Sequence, residues 1–205
     1  MHLTRADVNR ATPIPRKGTQ YIARPLSHMN RAITALSAVR DILHLAQTAR
    51  EVKEMIKEKK LKINGRVVRD MREPLLLLSL FEADKRYKVI LLPTGRFSLE
   101  PTKETTRVAK VINKKMLSSK ETQINLHDGT NLLSSESIKV GDSLEIDLSC
   151  KLVRVLPLKE GAKVMVNSGR NVGATGTISK VTKEGFLVKI QDKAVALKQA
   201  QVVVI

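Results

Sequence analysis

Apolar positions along the chain change period more than once. Between Ile33 and Ala46 they fall on Ile33, Leu36, Val39, Leu43 and Ala46, the three-and-four spacing of one helical stripe. This predicts a first helix running to about Leu45. The residues "TARE" then place Thr48 three positions before Glu51, the spacing of a reciprocal cap in which each side chain satisfies the other residue's amide. A second helix is predicted behind it, burying Val52, Met55 and Ile56. In "LKINGRVV" the period becomes two: Leu61 and Ile63 alternate with lysines, Asn64-Gly65 supplies a two-residue turn, and a strand resumes through Val67 or Val68. After residue 92 the pattern is one of short strands, "LPTGRFSL", "RVAKVINKKM", "QINLHDGTNLL", "KVGDSLEIDL" and "KLVRVLPL", with a second strong hairpin turn at Asp128-Gly129. Val164 and Val166 alternate into a glycine loop, and Ile178 and Val181 continue the strand beyond it.

The polar positions add a sign to this pattern. On the second helix, Arg50, Lys53, Lys57 and Lys60 lie within roughly 80° of one another at about 100° per residue, beside a stripe of Glu51, Glu54 and Glu58. One edge of the helix is therefore cationic, and the hairpin adds Lys60, Lys62 and Arg66 near its tip. The alternative is a solvated face whose acids and bases pair along the helix. Residues 1 to 31 carry Arg5, Arg10, Arg16, Lys17, Arg24 and Arg31 against the single acid Asp7, and "TPIPRKG" adds two prolines and a glycine. This reads as an extended basic arm, or else as a disordered, solvated tail. Residues 93–157 are nearly balanced, with 10 basic and 8 acidic side chains, so they are the part least suited to be the main polyanion contact.

Over the 205 residues, 37 basic side chains face 20 acidic ones, a net charge of +17. Such an excess implies a polyanionic partner, with nucleic acid ahead of an anionic membrane or an acidic protein tail. Five aromatics, Tyr21, Phe81, Tyr87, Phe97 and Phe186, are too few for base stacking to be the main mode of binding. Recognition of phosphate and of RNA shape remains. The lone Cys150 excludes an internal disulfide and a cysteine-rich zinc site, and His2, His28, His44 and His127 show no metal-ligand spacing. The longest apolar run, "LLLLSL", is far short of the roughly 18 residues of a membrane span, and "MHLTRADVNR" lacks the apolar core of a signal peptide. These readings predict a soluble protein with no membrane partner and no cofactor.

The stretch "NSGRNVGATGTI" (Asn167 to Ile178) holds three glycines and an arginine. A phosphate-binding G-x-x-x-x-G-K-[ST] loop fails because Ala174 stands five residues after Gly169 and no Lys-Ser or Lys-Thr pair follows in the loop. The dinucleotide pattern fails because residue 171 is Asn and no helix is predicted to follow. Instead, the order Gly161, Val164, Val166, Gly169, Gly173, Gly176, Ile178 resembles the KOW motif, part of a small SH3-like barrel in ribosomal proteins and transcription elongation factors. That resemblance implies RNA or protein contact through Arg170, Asn171 and Gly173, the alternative being that Gly173 and Gly176 merely permit a tight turn and bulge. "KMLSSK" (Lys115 to Lys120) is similar to the KMSKS loop of aminoacyl-tRNA synthetases, but it carries an extra residue and no matching histidine motif precedes it. The pairs Glu100 and Glu104, and Asp142 and Glu145, read as solvated loop carboxylates and not as an acid and base.

Residues 33–80, with "LAQTARE" followed by "INGRVV", resemble the S-four type RNA-binding module, a small α-L fold; one departure is that the glycine usual before the hairpin is replaced by Lys59 or Lys60. Together with "PIPRKG", "RDILHLAQTARE", "QINLHDGTN" and the KOW unit, the whole chain resembles the archaeal and eukaryotic small-subunit ribosomal protein S-four-e (S4e) family. The implied architecture is α+β and multidomain: a basic arm (1–32), the α-L module of helices and hairpin (33–92), a central all-β domain (93–157) and a C-terminal SH3-like KOW barrel (158–205). The implied function is a non-catalytic, cytoplasmic component of the small ribosomal subunit. Its expected partners are ribosomal RNA and neighbouring ribosomal proteins, and it is expected to be monomeric off the ribosome. The expected RNA contacts are Arg16, Lys17, Arg50, Lys53, Lys57, Lys60, Lys62, Arg66, Arg170, Asn171 and Gly173, with no catalytic or metal-binding residues. The alternatives are an RNA-modifying enzyme, or an RNA chaperone or transcription factor built on the same modules. The length resembles the shorter, archaeal form.

Overall fold

Local turn chemistry organises the first of two units, Met1–Glu104 and Thr105–Ile205, in a computed structural model that describes residues 2–15, 17–29, 31–117, 121–182, 185–191 and 193–205. Arg16 and the last three residues of "KMLSSK" lie outside the described residues. At the amino terminus, β1 (Leu3–Thr4) and β2 (Tyr21–Ile22) pair antiparallel. Arg5 clamps this ribbon by donating to the carbonyl oxygens of Thr19, at 2.8 Å, and Pro15. The segment read as an extended arm thus closes on itself around one of its own arginines.

The predicted first helix is shorter than its apolar stripe. Ala32–Thr34 form β3, and the helical turn begins only at Ala35, where the Thr34 hydroxyl accepts from the Ser37 amide at 3.1 Å. A π-helical turn, Ala38–Ile42, follows and ends before His44, whose φ is +54°. Ile33, Leu36 and Val39 are buried all the same, so the stripe marks core positions whatever backbone carries them. Helix α1 (Ala49–Lys57) carries the expected reciprocal cap, with the Glu51 amide donating to the Thr48 hydroxyl and the Thr48 amide donating to the Glu51 carboxylate. The Glu51 carboxylate also accepts from the Gln47 amide at 2.8 Å and the Thr48 hydroxyl at 2.9 Å, and these bonds with that of the Thr48 amide hold the carboxyl below its ordinary pKa, the Gln47 bond contributing most.

β4 (Lys62–Ile63) and β5 (Arg66–Val67) are joined by Asn64 and Gly65 at φ +51° and +81°, the left-handed pair of a type I′ hairpin. The apolar run after it is two strands and a turn: β6 (Pro74–Leu76) pairs with β3, and β7 (Leu80–Glu82) pairs with β4. β8 (Arg86–Leu91) and β9 (Phe97–Pro101) complete a sheet of order β5-β4-β7-β8-β9, so the pairing of this unit runs past residue 92 to Pro101. Phe81, Ile33, Leu61, Leu75 and Leu80 are fully buried in it.

The second unit is β throughout, with a single 3-10 turn among its described residues. β10 (Thr106–Met116), β11 (Thr122–Leu126), β12 (Asn131–Ser134), β13 (Ser143–Asp147) and β14 (Leu152–Leu156) form a sheet of order β12-β11-β10-β13-β14 over Val111, Ile124, Leu144 and Ile146. The expected Asp128-Gly129 turn joins β11 to β12, with Gly129 at φ +82°. Asp128 is not a free turn residue: it forms a buried ion pair with Arg107, which also donates to the Thr130 hydroxyl at 3.1 Å. β15 (Lys163–Val166), β16 (Thr175–Thr182), β17 (Gly185–Ile190), β18 (Lys193–Leu197) and β19 (Val202–Val204) form a second sheet of order β18-β17-β16-β15-β19 over Val164, Val166, Ile178 and Val188.

A polar seam ties these two sheets. The buried Lys110 ammonium donates to the carbonyl of Val202 at 2.6 Å and to that of Gln199, and the Val204 amide donates to the Ser143 hydroxyl at 3.1 Å. Asp142, expected as a solvated carboxylate, is buried instead and accepts from the amides of Leu158 (2.9 Å) and Lys139 (3.0 Å). A buried carboxylate needs such donors; its role is to close a joint, and Glu145 accepts from the Thr106 hydroxyl at 2.7 Å.

Candidate nucleic-acid interface

The cap fixes where α1 begins and therefore which residues it points outward. Val52 is buried, Met55 and Ile56 are half-buried, and Arg50, Lys53 and Lys57 are exposed; Lys60, expected on the same helical edge, is exposed too but lies past the end of the helix, which stops at Lys57. Arg50 lies 3.6 Å from Glu54, and Lys60 lies 2.6 Å from Glu58. These are exposed pairs worth about 0–1 kcal/mol, readily exchanged for a phosphate. Lys53 and Lys57 have no carboxylate within ion-pair distance among the described residues. The acids of the helix do not neutralise the centre of the cationic stripe.

The exit from the helix explains the departure from the glycine usual before the hairpin. The Lys60 amide donates to the Met55 carbonyl at 3.1 Å and the Lys59 amide to the Ile56 carbonyl at 3.0 Å, which is the Schellman closure. Lys59 occupies its left-handed position at φ +58°, the place that favours glycine. Lys59, Lys60 and Lys62 then line an open groove with Leu45, Met55, Glu82, Ala83 and Asp84.

At the hairpin the cations differ in freedom. Lys62 stands directly across from Glu82, whose carboxylate is bound by Arg86 at 2.8 Å. Arg66 is held by Glu73 at 2.7 Å, and Glu73 is buried and also accepts from the Arg69 amide at 2.8 Å. Arg66 is thus a positioned guanidinium, 63% exposed on a fixed carboxylate. Sequence reasoning missed Glu73 because it lies seven residues along the chain, beyond any helical or turn spacing.

The glycine loop is built mainly from backbone. The Gly173 amide donates to the Val166 carbonyl at 2.9 Å with φ +78°, and the Val166 amide donates to the Ala174 carbonyl at 2.9 Å. Arg170 is exposed and Asn171 half-buried. Gly176 has a packing reason: a Cβ there would stand 2.4 Å from the Lys189 carbonyl oxygen on the adjacent strand. Lys17 is exposed within the amino-terminal ribbon. The α1 stripe and the hairpin share the first unit with Lys17, while Arg170, Asn171 and Gly173 belong to the second. No group of three or more His, Cys, Asp or Glu side chains able to hold a metal occurs among the described residues. None of the helices formed by those residues is long and apolar enough to cross a membrane.

Residues 83–153 match the model of the ribosomal family S4e. The chain is 31% identical over 202 residues to the small ribosomal subunit protein eS4 of Methanocaldococcus jannaschii, covering 90% of this chain and 83% of that protein. The chain belongs to the ribosomal protein S4e family. The eS4 protein of Desulfurococcus amylolyticus is similar, at 32% identity over 201 residues covering 89% of this chain and 80% of that protein. The crystal structure of the 30S ribosomal protein S4e from Thermoplasma acidophilum superposes with a TM-score of 0.74 at 28% identity, covering 85% of this chain and 95% of that one. S4e proteins are structural and non-enzymatic, so the enzyme reading falls away. The helices of this member are short, and its fold is mostly β with several sheets.

Proposed function

We propose that this S4e protein is a cytoplasmic structural constituent of the small ribosomal subunit that binds ribosomal RNA through phosphate and shape. It would act as a monomer before assembly and contact neighbouring ribosomal proteins afterwards. The observation that carries the reading is the exposed stripe of Arg50, Lys53 and Lys57 on a capped helix, continued by Lys60, Lys62 and the Glu73-held Arg66. Its rigid backbone places several cations on one edge, which suits the regularly spaced phosphates of folded RNA. Support also comes from the relatives, which are small ribosomal subunit proteins. In this reading the arm, the α-L module, the central β domain and the KOW barrel are successive parts of one RNA-binding chain, and Lys17, Arg170, Asn171 and Gly173 add contacts outside the helix.

The test is Lys53→Gln with Lys57→Gln. Glutamine keeps helix propensity nearly constant and leaves Val52 untouched, so thermal stability should barely move. Each phosphate contact releases counterions, so losing two should flatten the dependence of log affinity on log salt by about 1.4–1.8. Affinity should fall alike for small-subunit ribosomal RNA and unrelated structured RNA. An unaltered slope would show a stripe facing solvent.

A further inference from the structure

The outer face of β10, β11 and β12 carries an arrangement that the cationic stripe does not explain. The strand register puts Asn113 opposite Asn125 and Asn125 opposite Asn131, so three asparagines form one row across three adjacent strands. The next row on the same face is Lys115, Gln123 and Leu133. Ile124, whose side chain points to the other face, is buried in the core. Asn113, Asn131 and Lys115 are exposed, Asn125 and Gln123 are half-buried, and Leu133 is 64% exposed.

Asparagine is disfavoured in strands, so a row of three is a feature that sheet stability alone does not select. The amides are also oriented. The Asn113 carbonyl oxygen accepts from the Lys114 amide at 2.8 Å, and the Asn125 carbonyl oxygen accepts from the Gln123 side-chain NH2 at 3.0 Å. With one lone pair of each oxygen engaged within the sheet, the NH2 groups of Asn113 and Asn125 keep both donors for a partner. Lys115 adds an ammonium, and no carboxylate lies in either row. The two rows are rich in donors and carry one positive charge.

We infer that this amide row docks in the wide, shallow minor groove of a double-stranded RNA segment. It would donate to ribose 2′-hydroxyl oxygens and base-edge acceptors. An A-form helix presents those acceptors on a shallow surface, whereas B-form DNA lacks the 2′-hydroxyl and has a narrow minor groove. The inference rests on the reading of the chain as RNA-binding but concerns a separate surface with different physics. The α1 stripe neutralises phosphates, whereas uncharged amides contribute shape and ribose recognition without releasing counterions.

The experiment titrates the full chain against a 20-base-pair RNA duplex and the DNA duplex of the same sequence, at several salt concentrations. The intact protein should favour RNA. Asn113→Ala with Asn125→Ala and Asn131→Ala should weaken RNA binding about tenfold, three modest hydrogen bonds being lost. DNA binding and the salt slope should stay as they were. Asn→Asp at the same three positions keeps shape while replacing donors by anions, and should lower RNA affinity further; circular dichroism checks that both variants are folded. Equal affinity of the intact protein for the two duplexes overturns the inference while leaving the phosphate reading intact. An unchanged preference for RNA in both variants also overturns it, as does concentration-dependent self-association that the alanine variant abolishes. Failure to bind either duplex would overturn the RNA-binding reading itself.

Discussion

The helix and hairpin of residues 48–67 and the glycine loop of residues 167–174 are both candidates for RNA contact, yet they are built in opposite ways. The first displays long cationic side chains from a scaffold that closes on itself: a reciprocal cap at Thr48, a Schellman closure at Lys59 and Lys60, and a type I′ turn at Asn64-Gly65. The second has one exposed arginine, Arg170, and its shape depends on strands brought in from elsewhere in the chain. One region is a carrier of charge and the other a backbone surface. Changes in the first should therefore move binding more than stability, and changes in the second should move stability first.

The sharpest way to break this contrast is Gly176→Val. Its side chain would enter the space of the Lys189 carbonyl oxygen and the Val188 side chain, so unfolding free energy should drop by about 3 kcal/mol. Urea denaturation would check it, and a drop well under this would mean that β16 and β17 can part without harm. Next comes Gly173→Val, which forces a β-branched residue to φ +78° and should cost about 1–2 kcal/mol in thermal unfolding. A loss of RNA affinity at unchanged stability would instead make this loop a direct contact.

A gain is expected at the other region. Lys59→Gly relieves a left-handed lysine at the helix exit, so the melting temperature should rise by an amount corresponding to about 1 kcal/mol. RNA affinity should fall only slightly, since the stripe keeps Lys53 and Lys57. The smallest effect concerns pH. The Glu51 pKa is lower in the folded chain than in the unfolded one, because of the amides of Gln47 and Thr48 and the Thr48 hydroxyl. Its charged form therefore stabilises the cap above the ordinary carboxylate range, and this contribution is lost as pH falls through the folded value. Glu51→Gln should be less stable than the parent near neutrality and equal to it in strong acid. A difference that persists in acid would deny the charge a role.

Much of the candidate site was legible because its determinants lie within a few residues of one another. The Thr48 and Glu51 pair, Asn64-Gly65 and Asp128-Gly129 all appear where their spacing puts them, and the exposed edge of α1 follows from the helical period once its start is known. Where the same reasoning extended a helix from Ile33, it failed. The apolar stripe correctly marked buried positions, but pairing of Ala32–Thr34 with Pro74–Leu76 satisfied the backbone of the first three residues as a strand.

The sequence by itself determined the chain's own excess of positive charge and its local caps and turns, since each depends on composition or on neighbours along the chain. Only the tertiary structure decided that Arg5 is a clamp and that Glu73 holds Arg66. It also showed Lys110 and Asp142 closing a seam, and three asparagines standing in one row. Those outcomes join residues 6 to 92 positions apart, and apart from the short Asn125–Asn131 hairpin pairing nothing in local spacing encodes them. They follow from strand register and from the need of each buried charge to find a partner, whatever its distance along the chain.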